Sequence, residues 1–455
     1  MLASAIVQNV TIAESQVQRM TDLSIRPLPS IARRIAHGSF WTVLGTGTGR
    51  VLNLVAMIFA ARLLGTEGFG GFGLVQSTLG LFGMFAGAAL GATATRFIAA
   101  THRTDPERTG RIIGLVTGSA LVSAALFGVA MIALAPWLAR AVLEDPDLTL
   151  AVALGAGLVG MGVLRGVQDA TLAGFEAFRR IAVLRFVEGA AALALIPLLV
   201  AQFGPAGGIA ALVLAGSIAF LPGMHFARRE LQAHGVATRW RGALAERRLL
   251  QDFSAPSLLA NSVATPVLWI CMLMLSRTPD GLAEVGIYNA AYLWHGTLVF
   301  VPMAITSVSL PILAHAWEKG NRAAFRRLFL RVLALGTLIA LVPALAVAAL
   351  SPLFMFAYGE GFESGYLVLV LLALSAPFHV ATNIATAAIQ SMNRAWFLPV
   401  THVVWGAALL IISTLAISSH GVEGLALAFL TSYCLLAVLK ILLIMFLIPV
   451  HGFHA

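Results

Sequence analysis

The chain has 455 residues, a formal net charge of +9, 59% hydrophobic and 11% charged residues, and a mean hydropathy of +0.91. A composition this apolar excludes a soluble globular domain. In a membrane protein the arginine surplus reports cytoplasmic loops, not nucleic-acid binding.

Residues 1–30 are polar, lack a central apolar segment and end in RPLPS, so they do not read as a signal peptide. Residues 1–37 read as a cytoplasmic N-terminal arm, whose stretch Ile31 to His37, with Arg33 and Arg34, forms an amphipathic lead-in at the interface. From Gly38 to Ala61 follows an apolar run of about 24 residues, which at ~1.5 Å rise reaches roughly 36 Å, enough to span a bilayer. Arg50 sits near its middle. A guanidinium at that depth costs several kcal/mol unless it faces a cavity or a partner. Gly45, Gly47 and Gly49 precede it and admit close approach of another helix. A dinucleotide-binding reading of these glycines fails, because no strand precedes them and the GxGxxG spacing is absent.

A short turn, ARLLGTEGFG, leads to a second span over about 72–100, where Gly83, Gly87 and Gly91 predict a smooth helix-packing face. Further spans fall near 111–136, 148–172, 180–202 and 206–226. A polar segment over 227–250 carries six arginines, and six more spans follow near 253–276, 284–311, 328–355, 365–390, 397–418 and 423–448. Cys271 and Cys434 lie inside apolar runs and read as small core hydrophobes, with no disulfide or metal spacing.

The loops alternate in charge. Even-numbered loops and the N-terminal arm hold most arginines, whereas odd-numbered loops hold Glu67, Glu144, Asp145, Asp147, Asp280, Glu360, Glu363 and Glu423 beside only Arg62, Arg140 and Arg277. Both termini are therefore expected in the cytoplasm. The sequence also repeats: a shift of 215 lays Arg62 on Arg277 and Gly71 on Gly286, and a shift of 217 lays Gly189, Gly204 and Gly207 on Gly406, Gly421 and Gly424. The expected architecture is an all-α integral membrane protein of about 12 transmembrane helices in two pseudo-symmetric six-helix lobes around a central cavity. The domains are 1–37, the N-lobe 38–226, a cytoplasmic inter-lobe linker 227–250, the C-lobe 251–448 and a cytoplasmic tail 449–455.

The segment ARLLGTEGFGGFGLVQS after a Gly-rich first helix, VGIYNAAY after the seventh and YGEGFESG before the tenth resemble Wzx-type oligosaccharide flippases of the multidrug/oligosaccharidyl-lipid/polysaccharide (MOP) exporter superfamily. The resemblance runs from about Gly38 to Ile448 and implies a MATE-like fold in the bacterial inner membrane. It further implies a carrier that turns a polyprenyl-pyrophosphate-linked saccharide from the cytoplasmic to the periplasmic leaflet. Membrane lipids and polysaccharide polymerase or assembly proteins are the further partners it implies.

On that reading Arg50 draws the pyrophosphate into the cavity, its planar donor fork suiting phosphate oxygens. The alternative is a buried pair with Glu188 or Asp169. Arg165 and Asp169, four apart, share a helix face and are expected to pair, and Arg185 and Glu188 are three apart on the next helix. Arg165 and Arg185 join the candidate cavity residues, and Glu188 and Asp169 serve as a coupling site or as charge partners. Arg96 and Lys440 read as snorkelling cations, with cavity lining open for Lys440. Arg50 maps by the repeat onto Thr265, so the second lobe is expected to be neutral and polar, through Asn261, Asn289, Asn383 and Gln390. Asn261 and Asn383 are candidate saccharide contacts, with interhelical hydrogen bonding as the alternative. His295, His379 and His402 are scattered one per helix without metal-ligand spacing.

Two other functions compete. A multidrug exporter of the same superfamily would favour cations and carry cavity acids. A polyprenol-dependent membrane enzyme would need a large outward loop with catalytic carboxylates or histidines, and the outward loops here are about a dozen residues at most. No nucleotide motif is present, so no cofactor is expected, and coupling to H+ or Na+ stays open.

Overall fold

A computed structural model describes residues 29–87, 90–254, 258 and 262–448. Its main helices are α1 (Pro29–Gly87), α2 (Leu90–Thr101), α3 (Pro106–Trp137), α4 (Thr149–Gly174), α5 (Phe178–Ala233), α6 (Ala264–Ser276), α7 (Gly281–Glu318), α8 (Arg322–Ala349), α9 (Ser351–Phe356), α10 (Tyr366–Ser391) and α11 (Phe397–Leu447). Seven helical stretches among the described residues are long and apolar enough to cross a membrane. Three of them, α1, α5 and α11, are too long for one pass. A straight helix of the 56 residues in α5 would reach about 84 Å against a hydrocarbon core of ~30 Å. Each is broken by a glycine of positive φ, Gly65, Gly204 and Gly421, and so supplies two arms. The protein is a multi-pass membrane protein of two six-helix lobes.

The internal repeat is visible in the backbone. Gly204 and Gly421 have φ of +55° and +51°, a conformation that a Cβ disfavours. The other pairs with positive φ keep the same registers: Glu144 with Gly359 at a shift of 215, and Glu176 with Asn393 at 217. Helices α4 and α10 have 26 residues each and are offset by 217. Caps repeat as well. The Asp105 side chain accepts from the Arg108 N–H at the start of α3, as Asn321 does from the Ala324 N–H at the start of α8.

One local expectation is corrected. Gly83 and Gly87 do not form a packing face: an added Cβ at either meets nothing within 4 Å, and both line a cavity of about 390 Å³ against α4. Only Gly91 approaches the facing helix, near Gly166 and Ala170.

The polar segment between the lobes begins as helix, since α5 runs to Ala233. It then folds back on α3. The Arg239 N–H donates to the Gly110 carbonyl at 3.0 Å, an approach that a side chain at Gly110 or Gly114 would obstruct. Arg108 and Arg111 both reach Glu246, at 3.2 and 3.6 Å, and Arg239 reaches Glu107 at 2.9 Å. The expected N-terminal arm falls mostly, and the tail 449–455 wholly, outside the described residues.

Candidate functional site

The centre of the molecule is a cavity of about 570 Å³ bounded by α1 and α5 of the first lobe and α7 of the second. Glycines set its first wall. Gly49 lies against the backbone of Arg185 and Gly189 against Leu52 and the Gly49 carbonyl, so α1 and α5 meet closely where both carry charges.

Arg50 lines this cavity and is exposed to it. Its Nη1 donates to the Gly296 carbonyl at 3.0 Å, and its guanidinium lies 4.8 Å from the Phe300 ring centroid. Among the described residues no carboxylate pairs with it, so the expected pair with Glu188 or Asp169 does not form. Those acids are engaged elsewhere. Arg185 donates to Asp169 at 2.7 Å and to Glu188 at 3.4 Å, and Arg165 pairs with Glu188. The i,i+4 pair expected between Arg165 and Asp169 is thus replaced by a crossed network between α4 and α5. Helix-to-helix packing brings each arginine nearer to the acid on the other helix.

Arg185 and Glu188 line the cavity with Arg50, whereas Arg165 and Asp169 stand behind them. Arg165 is 5% exposed, and its Nε and Nη2 have no protein partner. Three guanidiniums meet two carboxylates, leaving one positive charge in excess, and Arg50 is the member without an acid. Arg96 is exposed, with its guanidinium 5.5 Å from the Phe97 ring centroid.

The second-lobe residues that line the central cavity, Tyr292, Leu293, Gly296 and Thr297, are uncharged. Lys440 is 1% exposed and does not snorkel; its Nζ donates to Thr386 Oγ1 at 2.8 Å. Two of the three histidines meet, while His402 Nδ1 lies 2.8 Å from the Leu398 carbonyl of its own helix. His295 Nε2 lies 3.1 Å from His379 Nδ1, and His295 Nδ1 lies 3.0 Å from the Leu372 carbonyl. Tyr292 stacks on His295 and Tyr433 on His379. Spacing along one helix could not reveal this pair, because its members come from α7 and α10. Asn383 does not line the central cavity; its amide donates to the Met303 sulfur at 3.2 Å. Asn261 lies outside the described residues.

At the end of the lobes near Gly65 the two halves are joined by a reciprocal clasp. Arg62 of the first lobe donates to the Ala357 carbonyl of the second at 2.6 Å, and Arg277 of the second pairs with Glu144 of the first at 3.2 Å. These arginines are repeat equivalents, so each lobe grips the other with the same position. Phe69 meets Phe362 edge to face at 6.0 Å between them. Gly70 and Gly286 allow the backbones of α1 and α7 to touch: a Cβ on Gly70 would overlap the Leu282 carbonyl, and one on Gly286 the Thr66 carbonyl.

Residues 35–317 match the family described as "Polysaccharide biosynthesis protein". The chain belongs to that family. Over 404 residues it is 23% identical to the "Putative O-antigen transporter" of Shigella flexneri, covering 87% of this chain and 94% of that one. It is also 25% identical over 205 residues to the "EPS I polysaccharide export inner membrane protein EpsE" of Ralstonia nicotianae, a match covering 45% of this chain and about half, 47%, of that relative's length. In structure it is similar to the inward-facing conformation of a multidrug resistance MATE family transporter of the MOP superfamily, with a TM-score of 0.73 at 15% identity over 88% of this chain and 94% of the other. The expected two-lobe MATE-like fold is therefore borne out. The match to the family covers the first lobe, the segment after it and α6 and α7.

Proposed function

We propose that this family member is an inner-membrane transporter that turns a polyprenyl-pyrophosphate-linked oligosaccharide from the cytoplasmic to the periplasmic leaflet. It acts by alternating access of lobes 38–226 and 251–448 about the central cavity, with both termini in the cytoplasm. The observation that carries this reading is Arg50: an acid-free guanidinium exposed in a cavity between lobes that the Arg62 and Arg277 clasp joins at one end. A fixed planar donor fork in that position suits an anionic phosphate headgroup. The transporter names of the relatives support transport over enzymatic chemistry.

A multidrug exporter favouring cations would place a net negative charge where this cavity has a positive one. Arg185 belongs to the same anion site. Glu188 and Asp169 hold it in place, and Arg165 holds Glu188. Transport requires release, and the lobes rocking outward would separate Arg50 from its contact at Gly296, so that the headgroup loses one side of its site. Membrane lipids and polysaccharide assembly proteins are its surroundings in this reading.

The test is export of lipid-linked saccharide in a strain lacking the gene, with membrane protein levels matched by immunoblot. Arg50→Ala abolishes export while the protein stays inserted, and Arg50→Lys keeps part of it, because an ammonium attracts phosphate without bidentate geometry. Normal export by Arg50→Ala at matched levels refutes the role given to the charge.

A further inference from the structure

Away from the central cavity, an open groove of about 470 Å³ runs between α3 and the segment that joins the lobes. Gly114, Gly118, Val122 and Leu126, four apart along α3, form its floor, and Trp240 and Leu244 form its rim. The floor is about 18 Å long at ~1.5 Å per residue, close to the ~15 Å that one leaflet contributes to the hydrocarbon core. Val122 and Leu126 are exposed, so the floor is open to the acyl layer of the bilayer.

The rim is held in place by close backbone approach. A Cβ on Gly118 would lie 3.4 Å from the Trp240 ring, so the indole closes on α3 there. Gly242, at φ +78°, turns the chain into one turn of 3-10 helix over Ala243–Glu246. That turn buries Ala243 against α3 and leaves Trp240 and Leu244 exposed. An exposed tryptophan and leucine among arginines is the pattern of a stretch lying in the headgroup layer.

The arginines here fall into two sets. Arg108, Arg111 and Arg239 are answered by Glu246 and Glu107. Arg241, Arg247 and Arg248 are exposed, and among the described residues no carboxylate pairs with them. Arg241 directly follows Trp240. Arg247 lies three residues after Leu244, which on a 3-10 turn is the same side, so both arginines stand beside the rim.

An apolar groove one leaflet long, with unanswered arginines at its mouth, has the chemistry of a site for a lipid of fixed negative charge. We infer that this groove binds one anionic glycerophospholipid of the phosphatidylglycerol type, with an acyl chain along α3 and its phosphate at Arg241 and Arg247. Trp240 covers the boundary between chain and headgroup. Each arginine near an anionic lipid surface contributes about fivefold in binding, or ~1 kcal/mol. A choline lipid fits the same groove but sets its ammonium beside the guanidiniums. Bound lipid holds the inter-lobe segment on the first lobe. Only the leaflet, the cytoplasmic one, rests on the orientation proposed above.

The test is native mass spectrometry of the purified protein, titrated in a zwitterionic micelle with dioleoyl phosphatidylglycerol or dioleoyl phosphatidylcholine. Wild type retains one phosphatidylglycerol about 10- to 25-fold more tightly than phosphatidylcholine. Arg241→Gln with Arg247→Gln, both at exposed positions, brings the two lipids to near parity and leaves phosphatidylcholine unchanged. Ser119→Phe, which fills the groove, weakens both. Arg326→Gln with Arg327→Gln, exposed arginines at the start of α8, changes neither. Equal retention of the two lipids by wild type overturns the site. So does an equal loss in the α8 control, which would mean that charge acts through the whole surface. A dimer that Ser119→Phe dissociates would put a second copy in the groove and overturn it as well.

A last titration, with polyprenyl pyrophosphate, separates this site from the central one. Arg50→Ala weakens the pyrophosphate lipid and spares phosphatidylglycerol, and the Arg241 and Arg247 variant does the reverse. Loss of polyprenyl pyrophosphate in that variant, with phosphatidylglycerol retained, would give the groove to the substrate and refute the inference. Unchanged pyrophosphate affinity in Arg50→Ala counts against the transport reading and leaves the lipid site standing.

Discussion

Gly70 offers the sharpest test of how the lobes meet. A methyl group added there overlaps the backbone carbonyl of Leu282 on α7, a neighbour that cannot swing aside as the end of a side chain could. Gly70→Ala therefore forces the lobes apart at the clasped end or bends α1, and overpacking of this kind costs about 1–3 kcal/mol. The penalty falls only on the state closed at that end, because the contact does not exist once the lobes separate. By the population arithmetic the closed state loses roughly 5- to 150-fold against the open one. Spin labels at exposed Asp147 and Glu360, one on each half at this end, report the change as a distance distribution in nanodiscs after Cys271 and Cys434 are replaced. Gly70→Ala moves population to longer distances and slows export. Gly80→Ala on the same helix, where an added Cβ meets nothing within 4 Å, leaves both as in wild type. Wild-type distances and unchanged thermal stability for Gly70→Ala would show that the methyl is accommodated without parting the lobes, and the reasoning would fail.

Three further outcomes follow from named contacts. Arg62→Ala opens the same end more than Arg277→Ala does. The Arg277–Glu144 pair is 56% and 61% exposed and contributes below about 1 kcal/mol, whereas Arg62 also packs along Gly359. The two label distributions check this, and a larger effect of Arg277→Ala contradicts it. Glu188→Gln strands the buried Arg165 and lowers stability by about 3 kcal/mol, the low end of such losses because the carboxylate is one-third exposed. Thermal unfolding in detergent measures it, and an unchanged Tm refutes the assignment. Lys440→Met replaces a buried ammonium held only by Thr386 among the described residues with an apolar chain of similar length, so Tm stays level or rises. A drop larger than about 1 kcal/mol would mean that Lys440 has an ionic partner in the folded state.

The sequence by itself determined the membrane class, the two-lobe repeat and the position of the central charge. Apolar runs of spanning length and the 215–217 register are local or additive properties, readable without knowing what touches what. Gly204 and Gly421 show how far this reaches, since the repeat that aligned them also aligned their positive φ. What only the tertiary structure decided was pairing. Arg165 and Asp169 satisfy the i,i+4 rule, yet each finds its acid or base on the neighbouring helix, because α4 and α5 bring opposite charges together there. His295 and His379 stand 84 positions apart and meet through the packing of α7 on α10. The clasp at Arg62 and Arg277 has the same origin: it is made by surfaces from the two halves. A helix pattern states which face is apolar, but the partner across that face is chosen by the packing of the whole bundle.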